Sequence, residues 1–162
     1  MNALGEALGE ICAAVLPVPE KLYHGNQGSH VAVCTLSSMK LLGMIGCSKI
    51  MDNVCVAGRL LSENKGIDSI IEYVSTGSVN TIVVCGMDVM GHRAGHSLFK
   101  LYKNGTDEDG RIAGSESPDP YLASPAHKID YFRLNVTLVD MMGETDLGKI
   151  HKVSSRLSAS CS

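Results

Sequence analysis

Three short apolar runs constrain this chain more than any other feature. Val31-Ala32-Val33-Cys34-Thr35-Leu36, Val54-Cys55-Val56-Ala57-Gly58 and Thr81-Ile82-Val83-Val84-Cys85 are almost free of polar side chains. A strand with one wetted face alternates apolar and polar residues. A continuous apolar run therefore implies cover on both faces, as in a parallel sheet. Between the second and third runs, Ile67, Ile70, Ile71 and Val74 follow Asn64 at helical spacing, and Gly77 is a natural stop. A further helix is predicted over about 91–103, stopped by Asn104-Gly105, and another opens at Ser124-Pro125 with Ile129 and Phe132 inward. Val136-Thr137-Leu138-Val139-Asp140 reads as a fourth strand, followed by an amphipathic helix over about 145–156. Strands alternating with helices imply right-handed βαβ units. The expected fold is α/β: a Rossmann-like, mostly parallel sheet flanked by helices in a single domain.

The 162 residues divide into an N-terminal helix and loop over 1–30, the sheet domain over 31–156, and a frayed tail over 157–162. The N-terminal helix rests on the stripe Leu4, Leu8, Ile11, Cys12 and Val15, with Asn2 as its cap and Pro17 and Pro19 as its stop. Residues 20–30 and 105–123 read as loops, and 37–53 as either a helix or an irregular cover.

A net charge of −3 and an aromatic content of 4% argue against a nucleic-acid partner. The six cysteines form no C-x-x-C pair, and Cys34, Cys55 and Cys85 fall inside the apolar runs. There a thiol behaves as a small hydrophobe, which points to buried, reduced cysteines in a cytoplasmic protein. No basic leader precedes the first helix, and no segment nears the ~18 apolar residues of a membrane span. No direct membrane insertion is expected.

Chemistry concentrates where the third strand ends. In Cys85-Gly86-Met87-Asp88-Val89-Met90-Gly91-His92-Arg93-Ala94-Gly95-His96, three glycines let a bulky group approach the backbone. In open α/β sheets, ligands bind beyond the carboxyl ends of the strands. On a helix, His92 would lie about 200° from Ala94, away from the apolar stripe of Ala94, Leu98, Leu101 and Tyr102, and His96 would share its side. Three readings remain open: solvated surface histidines, a small metal site on His92 and His96, or His92 as axial ligand of a cobalt or haem macrocycle. In the third, Asp88 is the expected holder of the other ring nitrogen. His-Arg-Ala-Gly-His lacks the glutamate of a zincin helix, and no G-x-G-x-x-G, P-loop or G-x-S-x-G elbow occurs.

At this segment the sequence resembles the A subunit of tetrahydromethanopterin S-methyltransferase. The matching stretches run in order: Val31 to Leu36, Ser62-Glu63-Asn64-Lys65-Gly66-Ile67, Cys85-Gly86 through Gly91-His92-Arg93-Ala94-Gly95-His96, and Lys103-Asn104-Gly105. Gly110-Arg111-Ile112 with Gly114, Pro120-Tyr121 and Leu138-Val139-Asp140-Met141 follow. The resemblance implies a cobamide (cobalamin or a relative) whose cobalt takes His92 as lower axial ligand. It further implies a methyl carrier, in which cobalt(I) accepts a methyl group from a methyl-tetrahydropterin and passes it to an acceptor such as a thiol. The methyl donor would be bound by a pterin-dependent methyltransferase partner subunit.

Around the corrin, position nominates Leu36, Ser37, Gly58 and Asn64 from the first two strand ends. Met87, Asp88, Gly91, Gly95 and His96 come from the third, and Gly114, Pro120 and Tyr121 from the long loop. The chain departs from the family pattern at His96 (usually Gln), Arg93 (usually Ile) and Arg59 (usually Pro). The family's C-terminal membrane anchor has no counterpart before Ser162, so a stand-alone cytoplasmic homologue using a folate or methanopterin donor is expected. Two other functions are carried: a cobamide-binding or storage module without methyl transfer, and a small His-based metal-binding protein.

Overall fold

The computed structural model describes residues 21–160. The helix expected over 2–16 lies outside them. Within them the chain runs β1 (Tyr23–His24), β2 (Val31–Cys34), α1 (Met39–Gly46), a 3-10 turn (Lys49–Asp52) and β3 (Val56–Gly58). It continues with α2 (Lys65–Val74), β4 (Thr81–Gly86), α3 (Ala94–Asn104), α4 (Ala126–Asn135), β5 (Thr137–Met142) and α5 (Leu147–Ala159). The fold is α/β, with one mixed sheet of order β1-β3-β2-β4-β5. All neighbours are parallel except β1, which pairs antiparallel with β3.

Register explains why the central strands carry no polar face. Ala32 pairs with Val56 and Ile82, and Cys34 with Gly58 and Val84. These residues share one face with the inward sides of α2, α3 and α4, namely Ile67 and Ile71, Leu98 and Leu101, and Ile129 and Phe132. Val31, Val33, Ala57, Val83 and Cys85 face the other way, onto Leu41, Leu42 and Ile45 of α1, Ile50 of the turn and Ile150 of α5. Each face is therefore dry, and β4 is buried along its whole length. Cys34, Cys55 and Cys85 are buried, as their setting in apolar runs predicts, and Cys47 is exposed.

Boundaries differ from the periodicity at several points. Residues 37–53 are helical in two pieces. The stretch read as a loop over 20–30 holds the two-residue β1, too short to leave a pattern. The last strand begins at Thr137 rather than Val136, because the Val136 N–H still caps α4 on the Phe132 carbonyl. The last helix continues past 156 to Ala159. The helix expected from residue 91 begins at Ala94. Gly91 (φ +86°) and Arg93 (φ +48°) are left-handed, a conformation a right-handed helix cannot absorb. His92 therefore stands in the loop ahead of α3.

The sheet's order places a switch in direction at β2. From β2 the chain crosses to β3 on one side, then returns past β2 to β4 on the other. In open α/β sheets the crevice above such a point is where ligands are held.

Candidate functional site

The loops leaving β2 and β4 are joined directly above the switch point. Ser37 N–H and Oγ both donate to the Met87 carbonyl (3.0 and 2.7 Å), and Met87 N–H donates to Ser38 Oγ (2.9 Å). Gly86 permits this contact. Its φ is +74°, and a Cβ there would sit 2.5 Å from the Thr35 carbonyl oxygen.

Asp88 then turns the chain into α3. Its Oδ1 accepts from Val89 N–H and Gly95 N–H (both 2.8 Å), and its Oδ2 from His96 N–H (3.0 Å). A carboxylate on the first-turn donors of Gly95 and His96 is favoured by hydrogen bonding and by the helix dipole. Both oxygens are thus committed to backbone. The expectation that Asp88 holds the imidazole of His92 is corrected.

That place belongs to Glu63, from the loop after β3. Glu63 Oε2 lies 2.9 Å from His92 Nδ1, and Glu63 Oε1 accepts Asp119 N–H at 3.1 Å. The Glu63 side chain is 2% exposed and the His92 side chain 57%. A carboxylate this deeply buried requires partners. Asn64 braces the same corner, with Oδ1 accepting Lys65 N–H at 2.6 Å to cap α2 and Nδ2 donating to Asp119 Oδ2 at 2.9 Å. A carboxylate only accepts, so it favours the tautomer with the proton on Nδ1, in which Nε2 is the nitrogen left to ligate. His92 Nε2 makes no hydrogen bond among the described residues.

Space and an apolar rim surround this nitrogen's loop. A Cβ on Gly91 would meet nothing within 4 Å. Met90 is 95% exposed and Met87 57%. The long loop over 105–123 closes one flank. Arg93 pairs with Glu116 and holds that carboxyl below the usual glutamate range. Beneath it, Ser97 Oγ meets Ser115 Oγ at 2.7 Å and Ser117 Oγ at 2.5 Å in a buried cluster.

The other nominated residues divide by position. Leu36 is buried in a left-handed conformation (φ +51°) beside Gly95, whose added Cβ would lie 3.0 Å from Leu36 Cδ2. The Gly58 carbonyl accepts Thr35 N–H at 2.9 Å where β2 and β3 end. Pro120 is buried next to Asp119 in the chain, and its carbonyl accepts Ile112 N–H at 2.8 Å. Tyr121 is exposed and bridges to Arg111. Gly114 lies on the long loop, next in the chain to Ser115 of the buried serine cluster. It turns (φ +79°) against Asn104, at the far end of α3. His96 Nε2 is buried with no hydrogen-bond partner. Among the described residues, no three His, Cys, Asp or Glu side chains gather as a metal site.

Glu63 is the partner of His92 that sequence reasoning missed. It stood inside the matching stretch Ser62-Glu63-Asn64, but nothing in local spacing ties it to a histidine in another loop.

The family model of the tetrahydromethanopterin S-methyltransferase A subunit matches residues 14–160. The chain belongs to this family. Among its relatives, a second-form A subunit of tetrahydromethanopterin S-methyltransferase from Methanothermobacter thermautotrophicus is 35% identical over 140 residues, covering 80% of this chain and 74% of its own. The A subunit of the Mtx methyltransferase of Methanosarcina acetivorans is 34% identical over 139 residues, 85% of this chain and 66% of its own. The tetrahydromethanopterin S-methyltransferase A subunit of Methanocaldococcus jannaschii is 33% identical over 129 residues, 78% of this chain and 52% of its own. The chain thus spans about half to three quarters of the length of these relatives. Among the described residues of this family member, no helix is long and apolar enough to cross a membrane.

Proposed function

We propose that this chain is the methyl carrier of a pterin-dependent methyltransferase system and binds a cobamide through His92 Nε2. The observation that carries the reading is the exposed imidazole whose Nδ1 is held at 2.9 Å by the buried Glu63 carboxylate. A metal-ligating histidine is oriented in this way, with its second nitrogen on a carboxylate that fixes the tautomer and raises the basicity of the ligating nitrogen. The residues present fit such a group: one imidazole nitrogen without a hydrogen bond among the described residues, open space over Gly91, and the exposed methionines Met87 and Met90 in the same loop. Membership of this methyltransferase family supports methyl transfer as the task.

When bound, the cobamide would supply a cobalt atom able to carry a methyl group from a methyl-tetrahydropterin to an acceptor such as a thiol. The chain's own contribution is positional. Glu63 keeps the proton on Nδ1 and fixes the ring plane. Asp88 fixes the loop by capping α3, and Asn64 with Asp119 keeps Glu63 in place. The described residues form one α/β domain, so a partner protein would bring the pterin, in the cytoplasm.

The test is the visible spectrum of the protein titrated with cobalamin. A shift that disappears in His92→Ala is the expected result, and an unchanged shift in that variant sinks the reading. Methylation of the cob(I)alamin-loaded protein by a partner methyltransferase then separates a carrier from a storage module.

A further inference from the structure

One short segment of the long loop, residues 115–119, touches both sides of the His92–Glu63 pair. Asp119 N–H donates to Glu63 Oε1 at 3.1 Å, and two residues earlier Ser117 Oγ donates to the Arg93 carbonyl at 3.3 Å. The protons of the buried serine cluster follow, because each hydroxyl has one to give. Ser117 gives its own to Arg93, so Ser97 donates to Ser117 (2.5 Å) and Ser115 to Ser97 (2.7 Å). Ser115 Oγ in turn accepts Ser117 N–H at 3.2 Å, and the Ser115 carbonyl accepts from Arg111 at 2.9 Å. All three serines are buried, and their chain of hydroxyls ends on the Arg93 carbonyl. Arg93 is left-handed (φ +48°), a conformation unfavourable for any residue with a Cβ. Such strain persists only where the surroundings over-determine it. Here Arg93 N–H donates to the Val89 carbonyl (2.8 Å), its carbonyl accepts Ser97 N–H (3.0 Å) as well as Ser117 Oγ, and its side chain pairs with Glu116.

We propose that Ser117 is a positioning residue for His92 and acts through the left-handed Arg93. The inference rests on His92 being the cobalt ligand for its consequence, and on the His92–Glu63 pair alone for its geometry. Sequence periodicity carries α3 back to about residue 91, and the backbone of Arg93 is what stops it at Ala94. Gly91 takes either hand without penalty, so Arg93 is the residue that must be held. With Arg93 right-handed, His92 would join the first turn of α3 and its ring would leave the Glu63 carboxylate. Glu116 and Ser117 hold Arg93 from one side, and Asp119 holds Glu63 from the other. The Arg93–Glu116 pair is open to solvent and screened, which leaves the buried hydroxyl as the firmer hold. One segment thereby keeps both partners of the pair in register.

The test compares the full chain with Ser117→Ala, Arg93→Gly and the double variant, first without cofactor and then titrated with cobalamin. Long-range proton–nitrogen NMR at pH 8 reads which nitrogen of the His92 ring carries the proton. In the full chain the proton should sit on Nδ1, facing Glu63, and in Ser117→Ala the two tautomers should mix. The His92-dependent spectral shift should then need about tenfold more cobalamin, the lower end of what loss of an outer partner costs. Arg93→Gly should disturb the ring less than Ser117→Ala, because glycine enters the left-handed region freely. In the double variant that freedom should restore part of the Nδ1 proton signal and part of the affinity. Packing lost at position 117 would show no such rescue. Ser117→Cys, with a weak donor in the same place, replaces the alanine variant if that one does not fold. Unchanged tautomer and affinity in folded Ser117→Ala overturn the proposal, and so does a double variant that recovers nothing. A cobalamin spectrum indifferent to His92 overturns the ligation reading alone, because the tautomer measurement still decides this one.

Discussion

His92 Nδ1 and Glu63 Oε2 stand 2.9 Å apart although 29 residues separate them in the chain. Glu63 follows β3 and His92 follows β4, and β2 lies between those strands. The pair therefore meets across the carboxyl end of the strand at which the sheet changes direction. One partner is 2% exposed and the other 57%, so a buried acid fixes a ring that faces outward.

Glu63→Gln keeps the side chain's shape and removes its charge. Loss of such a partner typically costs 10–100-fold in metal affinity, and cobalamin binding should fall by about that much. Spectral titration reads the change, with circular dichroism as the check on folding. Glu63→Ala should in addition lose about 1–3 kcal/mol of stability, because the Asp119 N–H loses its acceptor. Wild-type affinity in Glu63→Gln would leave the carboxylate without a part in ligation.

Asp88 should behave oppositely. Its oxygens cap α3 rather than touch the imidazole, so Asp88→Ala should cost about 1–2 kcal/mol of stability. The His92-dependent spectrum should survive at temperatures where the variant is folded. Urea denaturation and cobalamin titration of one sample check both. A lost spectral shift at full folding would place Asp88 on the ring after all.

Glu63 and Asp88 also mark how far the sequence could be read. The unbroken apolar runs pointed to the two-sided sheet, because burial on both faces removes the alternation that a wetted face imposes. The glycines and the histidine after β4 pointed to the location of the site. Local spacing could not assign the second-nitrogen partner. Asp88 is near in the chain and was the natural choice, yet the backbone donors of α3 claim it. Glu63 becomes a neighbour only once β3 and β4 are set on either side of β2. The late start of α3 was hidden because left-handed Arg93 is not a residue that announces itself.

Gly86→Ala should be more damaging than Gly91→Ala. Both glycines have positive φ, +74° and +86°, so either alanine carries the left-handed cost of about 1–2 kcal/mol. At Gly91 a Cβ meets nothing within 4 Å, whereas at Gly86 it would lie 2.5 Å from a carbonyl oxygen and 2.8 Å from Ser38 Oγ. The clash at Gly86 should push the β2 and β4 loops apart, adding at least about 1 kcal/mol to the loss in unfolding free energy measured by urea denaturation. Equal losses for the two variants would mean that the loops are not in contact.

The buried thiols give a test of the sheet that is independent of any cofactor. Burial, helped by Cys34 and Glu144 nearby, pushes the Cys85 thiol from its ordinary 9.0 up to about 12. Alkylation needs the thiolate, so Cys85 should resist iodoacetamide at pH 8 while exposed Cys47 reacts. Cys55, also raised by burial, should resist with it. The stability sign follows from the direction of the shift. A thiol that is harder to ionise when folded contributes fully below its unfolded value and loses that contribution as pH rises from about 9 toward 12. Labelling of Cys85 should therefore accelerate above pH 9 in step with falling urea midpoints, and the alkaline fall should be shallower in Cys85→Ala. Peptide mapping after alkylation measures the first effect and denaturation series the second. Labelling of Cys85 at pH 8 as fast as Cys47 would mean that β4 is not the covered centre of the sheet.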